Sequence, residues 1–201
     1  MSELRSTIVF EPEFRNDDAL RGIDSYSHLW LIWGFSENER DTWSPTVRPP
    51  RLGGNVRMGV FATRSTFRPN ALALSSVQFD CLEKTKNDGT VIHVLGADLM
   101  DGSPIYDIKP YLSFTDSHPE ARNGFAGTVQ SHALRVHLPT EFASKFDERD
   151  RNALLGILSQ DPRPGYQHDP ERIYGFPFAG FEIRFRVSGD ELEVVEVTAE
   201  S

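Results

Sequence analysis

The chain has 201 residues, 38% of them hydrophobic and 25% charged, enough to bury a core in one domain or in one domain plus a small appendage. Its formal net charge of -9 excludes indiscriminate nucleic-acid binding, which rests on counterion release by an overall basic surface, but leaves a local basic face open. No apolar run approaches the roughly 20 residues of a membrane span, the start lacks a secretory leader, and the single Cys81 excludes an internal disulfide or a Cys-rich zinc site, so a soluble cytoplasmic protein without a metal is expected.

Ser27 to Phe35, SHLWLIWGF, is a continuous apolar run that predicts a strand covered on both faces. Pro45, Pro49 and Pro50 then stop regular structure, which predicts a long loop of the kind that carries sites on a rigid scaffold. MGVFATRS, Met58 to Ser65, predicts a short strand. Ala71–Phe79 and Thr90–Leu99, joined across Lys86-Asn87-Asp88-Gly89, predict a hairpin with an Asp-Gly turn. These elements fit a mainly β fold, a closed or nearly closed β-barrel. The Gly-rich NGFAGT, Asn123 to Thr128, reads as a linker to a smaller C-terminal unit. There HALRVHL predicts a strand, and Glu141 to Gln160 a helix with Leu154, Ile157 and Leu158 on one face, ended by Pro162 and Pro164. FEIRFRV places Phe181, Ile183, Phe185 and Val187 on one face, then turns at Ser188-Gly189-Asp190 into ELEVVEV. The division is residues 1–127, a β-barrel, and residues 128–201, a small α+β domain.

Charge is segregated along the chain. From Ser44 to Phe79 there is no Asp or Glu, while Arg48, Arg51, Arg57, Arg64 and Arg68 give that stretch +5; with -9 overall, the remainder carries -14. Solubility needs only dispersed charge. Arginine offers a planar fork suited to phosphate and carboxylate, and interleaved Gly and Pro bring backbone close to a ligand, so an anion-binding segment is favoured over a solvated basic loop. A second cluster, Asp98 to Ser117, contains Asp101-Gly102-Ser103-Pro104, which suits a hydroxylated or amino-bearing small molecule and equally a plain connecting turn. Asp107 and Lys109, two apart on a strand, share a face and are placed to form an ion pair. Third, DPRPGY presents Arg163 and Tyr166, a pair suited to phosphate and to base stacking, although packing of the loop explains it almost as well. The absence of G-x-G-x-x-G, G-x-x-x-x-G-K-[ST] and G-x-S-x-G disfavours a dinucleotide fold. The six histidines lack metal-ligand spacing. His28, beside an apolar strand, reads as a core histidine, and Cys81 as a small apolar strand residue.

VRPPRLGGNVRMGVFATRSTFRPN, DGSPIYDIKPYLSFTDS and DPRPGY, in that order, resemble the TsaA/YaeB family, whose characterised members are the tRNA methyltransferases O. The resemblance covers nearly the whole chain beyond Leu20. It implies an S-adenosylmethionine-dependent methyltransferase built on a β-barrel and not on a Rossmann sheet, a homodimer with cofactor near the subunit interface, and methylation of N6 of threonylcarbamoyladenosine beside the anticodon of tRNA. The small domain bearing DPRPGY accompanies the bacterial type. Carried onto this sequence, the cofactor contacts fall on Arg64, Leu74, Asp101, Gly102, Ser103 and Pro104, and on Ser36 and Glu37, where some members have His-Gln. Ala71-Leu72-Ala73 stands where many members read Pro-Ile-Gly. The segment resembling ELRSTIVFEPEFRN starts almost at Met1 here, whereas a first strand precedes it in the family; either the native start lies upstream or the cofactor is bound differently, and a barrel without that strand would need its exposed edge covered by a partner or a dimer mate.

On this resemblance, catalysis would come mainly from in-line positioning in a dry site, with no covalent nucleophile. The urea-like N6 needs a base or a hydrogen bond to its carbonyl, and Asn70, Asp107, Lys109 and Tyr111 are the polar candidates, with the base unassigned among them. Arg48, Arg51, Arg57, Arg68 and Arg163 would neutralise phosphates, while Phe67 or Tyr166 stacks on an unpaired base. Two other classes stay open: a non-catalytic module that holds S-adenosylmethionine or a nucleotide, and a methyltransferase for a small non-RNA substrate anchored by the arginines.

Overall fold

The computed structural model describes residues 4–36, 42–49, 56–127, 133–163 and 169–199. Two compact units divide the chain: Ser2–Val47 with Arg57–Ala121, and Arg122–Ser201 with Met1 and Arg48–Val56. Among the described residues no helix is long and apolar enough to cross a membrane.

The first unit contains β1 (Arg5–Ile8), β2 (His28–Gly34), β3 (Thr46–Val47), β4 (Met58–Gly59), β5 (Leu72–Lys84), β6 (Thr90–Leu95) and β7 (Ile105–Pro110). Five of these form an antiparallel sheet in the order β1-β6-β5-β2-β7. The apolar run of β2 explains its central place, but only one of its faces is fully covered. Leu29, Leu31 and Trp33 are 0%, 1% and 9% exposed and join Ile8, Val77, Ile92 and Val94 in the core, whereas Trp30 and Ile32 are only half-buried on the other face. The expected two-sided burial therefore holds for one side. A closed barrel does not form among the described residues: the sheet is open, with β1 and β7 at its edges.

The predicted hairpin is β5–β6, and Gly89 supplies the left-handed φ of +70° that its tight turn requires. MGVFATRS keeps only two residues in a strand. β4 pairs with β3, and Val60–Ala62 then curls into a 3-10 turn closed by Thr63, whose N–H and hydroxyl both donate to Val60 O at 3.1 and 2.9 Å. His28, expected in the core, is exposed at the start of β2; the buried histidine is His93 on β6. Its Nε2 lies 2.8 Å from Glu83 Oε2 and its Nδ1 3.0 Å from Thr7 Oγ1, so both ring nitrogens have a hydrogen-bond partner. Cys81 is half-buried and takes a hydrogen bond from Arg5 Nη2 at 3.1 Å, so it is more than an apolar filler.

The second unit contains β8 (Arg135–His137), β9 (Tyr174–Phe178), β10 (Phe181–Ser188) and β11 (Glu191–Ala199) in the order β8-β11-β10-β9, with β8 parallel to β11 and the other pairs antiparallel. Among the described residues the first unit holds a short α-helix, α1 (Ser113–Asp116), and the second holds α2 (Thr140–Ala143) and α3 (Glu148–Ser159). The single helix expected over 141–160 is thus split in two. Asp147 restarts it, its carboxylate accepting from Asp150 N at 2.7 Å as an N-cap. Leu154 and Leu158 are fully buried, as the spacing predicts, and Ile183, Phe185 and Val187 line the inner face of β10. β9 carries no sequence expectation because Pro177 interrupts its pattern; it stands at the sheet edge, where a missing N–H is tolerated.

Candidate active site

Several of the residues expected from the sequence share the outer face of the first sheet. Strand pairing sets Leu74, Ile32 and Asp107 side by side across β5, β2 and β7, and Ser76, Trp30 and Lys109 in the next rank. At about 4.8 Å per strand spacing, Leu74 and Asp107 are on the order of 10 Å apart on one surface. Asp107 and Lys109 form the expected ion pair at 2.8 Å. The Lys109 hydrogen bond, joined by Ile108 N, holds the Asp107 carboxyl below the usual carboxylate range, so it is ionised at neutral pH. Tyr111 follows β7, its N–H donating to His28 O at 3.0 Å and its ring 5.5 Å from that of Trp30. Trp30 Nε1 in turn donates to Asp116 Oδ2 at 2.8 Å, an oxygen that also accepts from Leu112 N at 2.9 Å. These two donors, the backbone N–H first, lower the Asp116 carboxyl as well.

The Asp101 to Pro104 turn abuts the end of this face. Gly102 adopts a φ of +73° with open space around its missing side chain, and Ser103 N closes the turn on Met100 O at 3.1 Å. Gly34 N donates to Pro104 O at 2.9 Å and Phe35 N to Ala71 O at 3.1 Å, so the end of β2 draws together the turn and the chain leading into Leu74. A residue that sequence reasoning missed stands there. Tyr106 is the extra residue of a bulge opposite Ile32/Trp33, is 64% exposed, and rests on Gly34, where a Cβ would meet its hydroxyl at 2.7 Å. The only sequence signal was a glycine ending an apolar strand. Leu72, Leu74 and Met100 are exposed around it, and Ser36 lies two residues beyond Gly34, also exposed.

Asn70 and Arg64 are exposed on the loop that precedes β5, with Phe67 half-buried among them. Arg68 is partly spent on that loop's own shape, since its Nη1 donates to Thr63 O at 2.8 Å and Ser65 O at 3.4 Å. Arg57 is exposed and donates to Thr46 Oγ1 at 3.0 Å. Arg48 is exposed and belongs to the second unit by its contacts. Arg163, also in that unit, closes on Asp161 in a bidentate pair at 2.8 and 2.8 Å, which raises its guanidinium further; a phosphate there would compete with that carboxylate. Glu37, Arg51 and Tyr166 lie outside the described residues. Among the described residues no group of three or more His, Cys, Asp or Glu is placed to hold a metal ion. A hollow of about 360 Å³ between Asp17, Leu20, Arg21, Asp24, Leu82 and Thr90 is lined by none of the sequence-predicted site residues.

Residues 1–117 match the tRNA-methyltransferase O N-terminal domain and residues 131–200 the TrmO C-terminal domain. The chain belongs to the tRNA-methyltransferase O family. It is 40% identical over 190 residues to the tRNA (adenine(37)-N6)-methyltransferase of Escherichia coli K12, covering 90% of this chain and 80% of that one. To the Eikenella corrodens enzyme of the same name it is 44% identical over 165 residues, 81% of this chain and 92% of that one. The fold agrees: the crystal structure of TrmO from Pseudomonas aeruginosa superposes with a TM-score of 0.76 at 28% identity, covering 98% of this chain and 86% of that one. The two family matches fall one on each part of the chain, before and after residues 118–130.

Proposed function

We infer that this protein is an S-adenosylmethionine-dependent tRNA (adenine(37)-N6)-methyltransferase whose site is the outer face of the first sheet. The observation that carries the assignment of the site is that the Asp101 turn and the chain leading into Leu74 meet at the end of β2, while Leu74 and the Asp107–Lys109 pair flank Ile32 and Trp30 on the same face. The residues present fit the cofactor. An exposed carboxylate on Asp101 suits ribose hydroxyls or an amino group, the exposed Leu72, Leu74 and Met100 suit the flat purine, and Arg64 suits a carboxylate. When bound, S-adenosylmethionine supplies a methyl group on a positively charged sulfur. Asp107 is ionised and within reach of the acceptor surface, but its lowered proton affinity makes it a weak base, suited to accepting a hydrogen bond while Lys109 steadies a carbonyl that gains charge. Tyr111 directly follows their strand, and Asn70 stands on the loop before β5 as a further polar candidate.

The acceptor we propose is N6 of threonylcarbamoyladenosine, with anticodon-loop phosphates held by Arg57 and, secondarily, Arg48, Arg51 and Arg68; a cytoplasmic location goes with that substrate. Exposed Leu72, Leu74, Tyr106 and Phe114 support a homodimer with the cofactor near the interface, and the open edges β1 and β7 are those that would take part in closing a barrel. We take residues 1–127 and 128–201 as the two domains. Incubation with labelled S-adenosylmethionine and undermethylated tRNA, followed by nucleoside mass analysis, should yield a methylated threonylcarbamoyladenosine. Protein that binds the cofactor yet adds no methyl group to any tRNA nucleoside would sink the activity, and methyl on unmodified adenosine would sink the acceptor.

A further inference from the structure

Phe67 and Tyr166 are the aromatics that the sequence offers for stacking, and they leave another pair unassigned. Trp43 and Phe61 lie at one end of the β3–β4 ladder with ring centroids 6.2 Å apart and planes inclined by 29°. The ladder sets them there: Thr46 pairs with Gly59 and Val47 with Met58, and Val60 N donates to Pro45 O at 3.0 Å, so the two chains run side by side to residues 43 and 61. Contact with each other does not bury them, since they remain 49% and 72% exposed. A scattered exposed aromatic needs no explanation. Two in mutual contact on a bonded hairpin form a flat apolar surface held open to water.

The charge around that surface names its ligand. Phe61 lies within, and Trp43 immediately before, the stretch from Ser44 to Phe79 that has no acidic residue. The hydrogen bond from Arg57 Nη1 to Thr46 Oγ1 turns the guanidinium back along the hairpin toward the aromatic end; three residues of about 3.3 Å separate that rung from Trp43, on the order of 10 Å. Arg64 is exposed three residues beyond Phe61. Among the described residues neither Arg57 nor Arg64 forms an ion pair. Flat apolar rings beside cations that form no ion pair among the described residues match an unpaired nucleobase and its phosphate. We propose that Trp43 and Phe61 form a stacking platform for an unpaired base of the tRNA substrate, with Arg57 on the adjoining phosphate. This rests on the reading of the protein as a tRNA methyltransferase.

The test measures binding of undermethylated tRNA, across a salt series, to the full chain and to its Trp43→Ala, Phe61→Ala, Phe61→Tyr and Arg57→Ala variants, alongside S-adenosylmethionine binding and sedimentation. Trp43→Ala and Phe61→Ala should each weaken tRNA binding about ten- to a hundred-fold. The salt slope should stay unchanged in both, because stacking releases no counterions, and should fall by about one in Arg57→Ala. Phe61→Tyr, which keeps the ring face, should bind as the unaltered protein does, and cofactor affinity should be the same throughout. Unchanged tRNA affinity in both alanine variants would overturn the platform. So would loss of self-association in those variants, which would make the pair a contact between copies. Failure of the unaltered protein to bind tRNA would instead overturn the tRNA reading itself.

Discussion

The outer faces of the two sheets set their charges in different surroundings. On the C-terminal sheet, Arg184 pairs with Glu196 at 3.2 Å, Arg186 with Glu193 at 2.6 Å and Arg135 with Glu191 at 3.3 Å, each across neighbouring strands. On that face these six charges answer one another. On the N-terminal sheet, an ion pair within one strand, Asp107 with Lys109, stands among Trp30, Ile32 and the exposed Leu74 and Tyr106. Apolar surface and ionised groups left together in water fit a substrate surface better than a structural one. Both faces thus hold their charges in ion pairs, and what separates them is the open apolar surface around the pair on the N-terminal sheet.

The contrast concerns faces and not cores. Leu31→Ala in the first unit and Leu154→Ala in the second remove side chains that are 1% and 0% exposed, and each should cost about 2–5 kcal/mol in urea unfolding. A large cost in only one unit would show that the cores differ too. Breaking the C-terminal ion pairs should matter far less. Arg186→Ala should change stability by about 0.2–1 kcal/mol, an effect that fades with salt, and should leave methyl transfer alone. A drop in transfer would move part of the site onto that sheet.

The smallest effect is a pH dependence. Asp116 is ionised more readily in the folded protein than in the unfolded chain because Leu112 N and Trp30 Nε1 donate to it. Its contribution is therefore present above the ordinary carboxylate range and lost as pH falls through its lowered folded value. Trp30 fluorescence should shift over that acid interval, and Asp116→Asn should remove the shift. Persistence of the shift in the variant would assign it to another carboxylate.

Much of this was legible in the sequence where one local rule dominates. The β5–β6 hairpin follows from an Asp-Gly turn between apolar runs, and the inner face of β10 from strict alternation. The Asp107–Lys109 pair follows from a spacing of two on a strand. What was not legible depends on partners distant in sequence. His28 and His93 both flank apolar residues, and only the pairing of β6 with β1 and β5 decides that the second is buried beside Thr7 and Glu83. Tyr106 became visible only through a bulge, and the Trp43–Phe61 contact only through a two-residue ladder. The split of the predicted helix was foreshadowed by Asp147, whose capping role competes with a continuous helix at no cost to the buried leucines that follow.

The most direct test compares single-turnover methyl transfer from labelled S-adenosylmethionine to undermethylated tRNA by Asp107→Asn and, in parallel, by Arg186→Ala. Asp107→Asn should bind cofactor about as well as the unaltered protein and transfer about a hundred-fold more slowly, while Arg186→Ala transfers at the unaltered rate. Full transfer by Asp107→Asn, or an equal loss in both variants, would contradict the assignment of the site to the outer face of the first sheet.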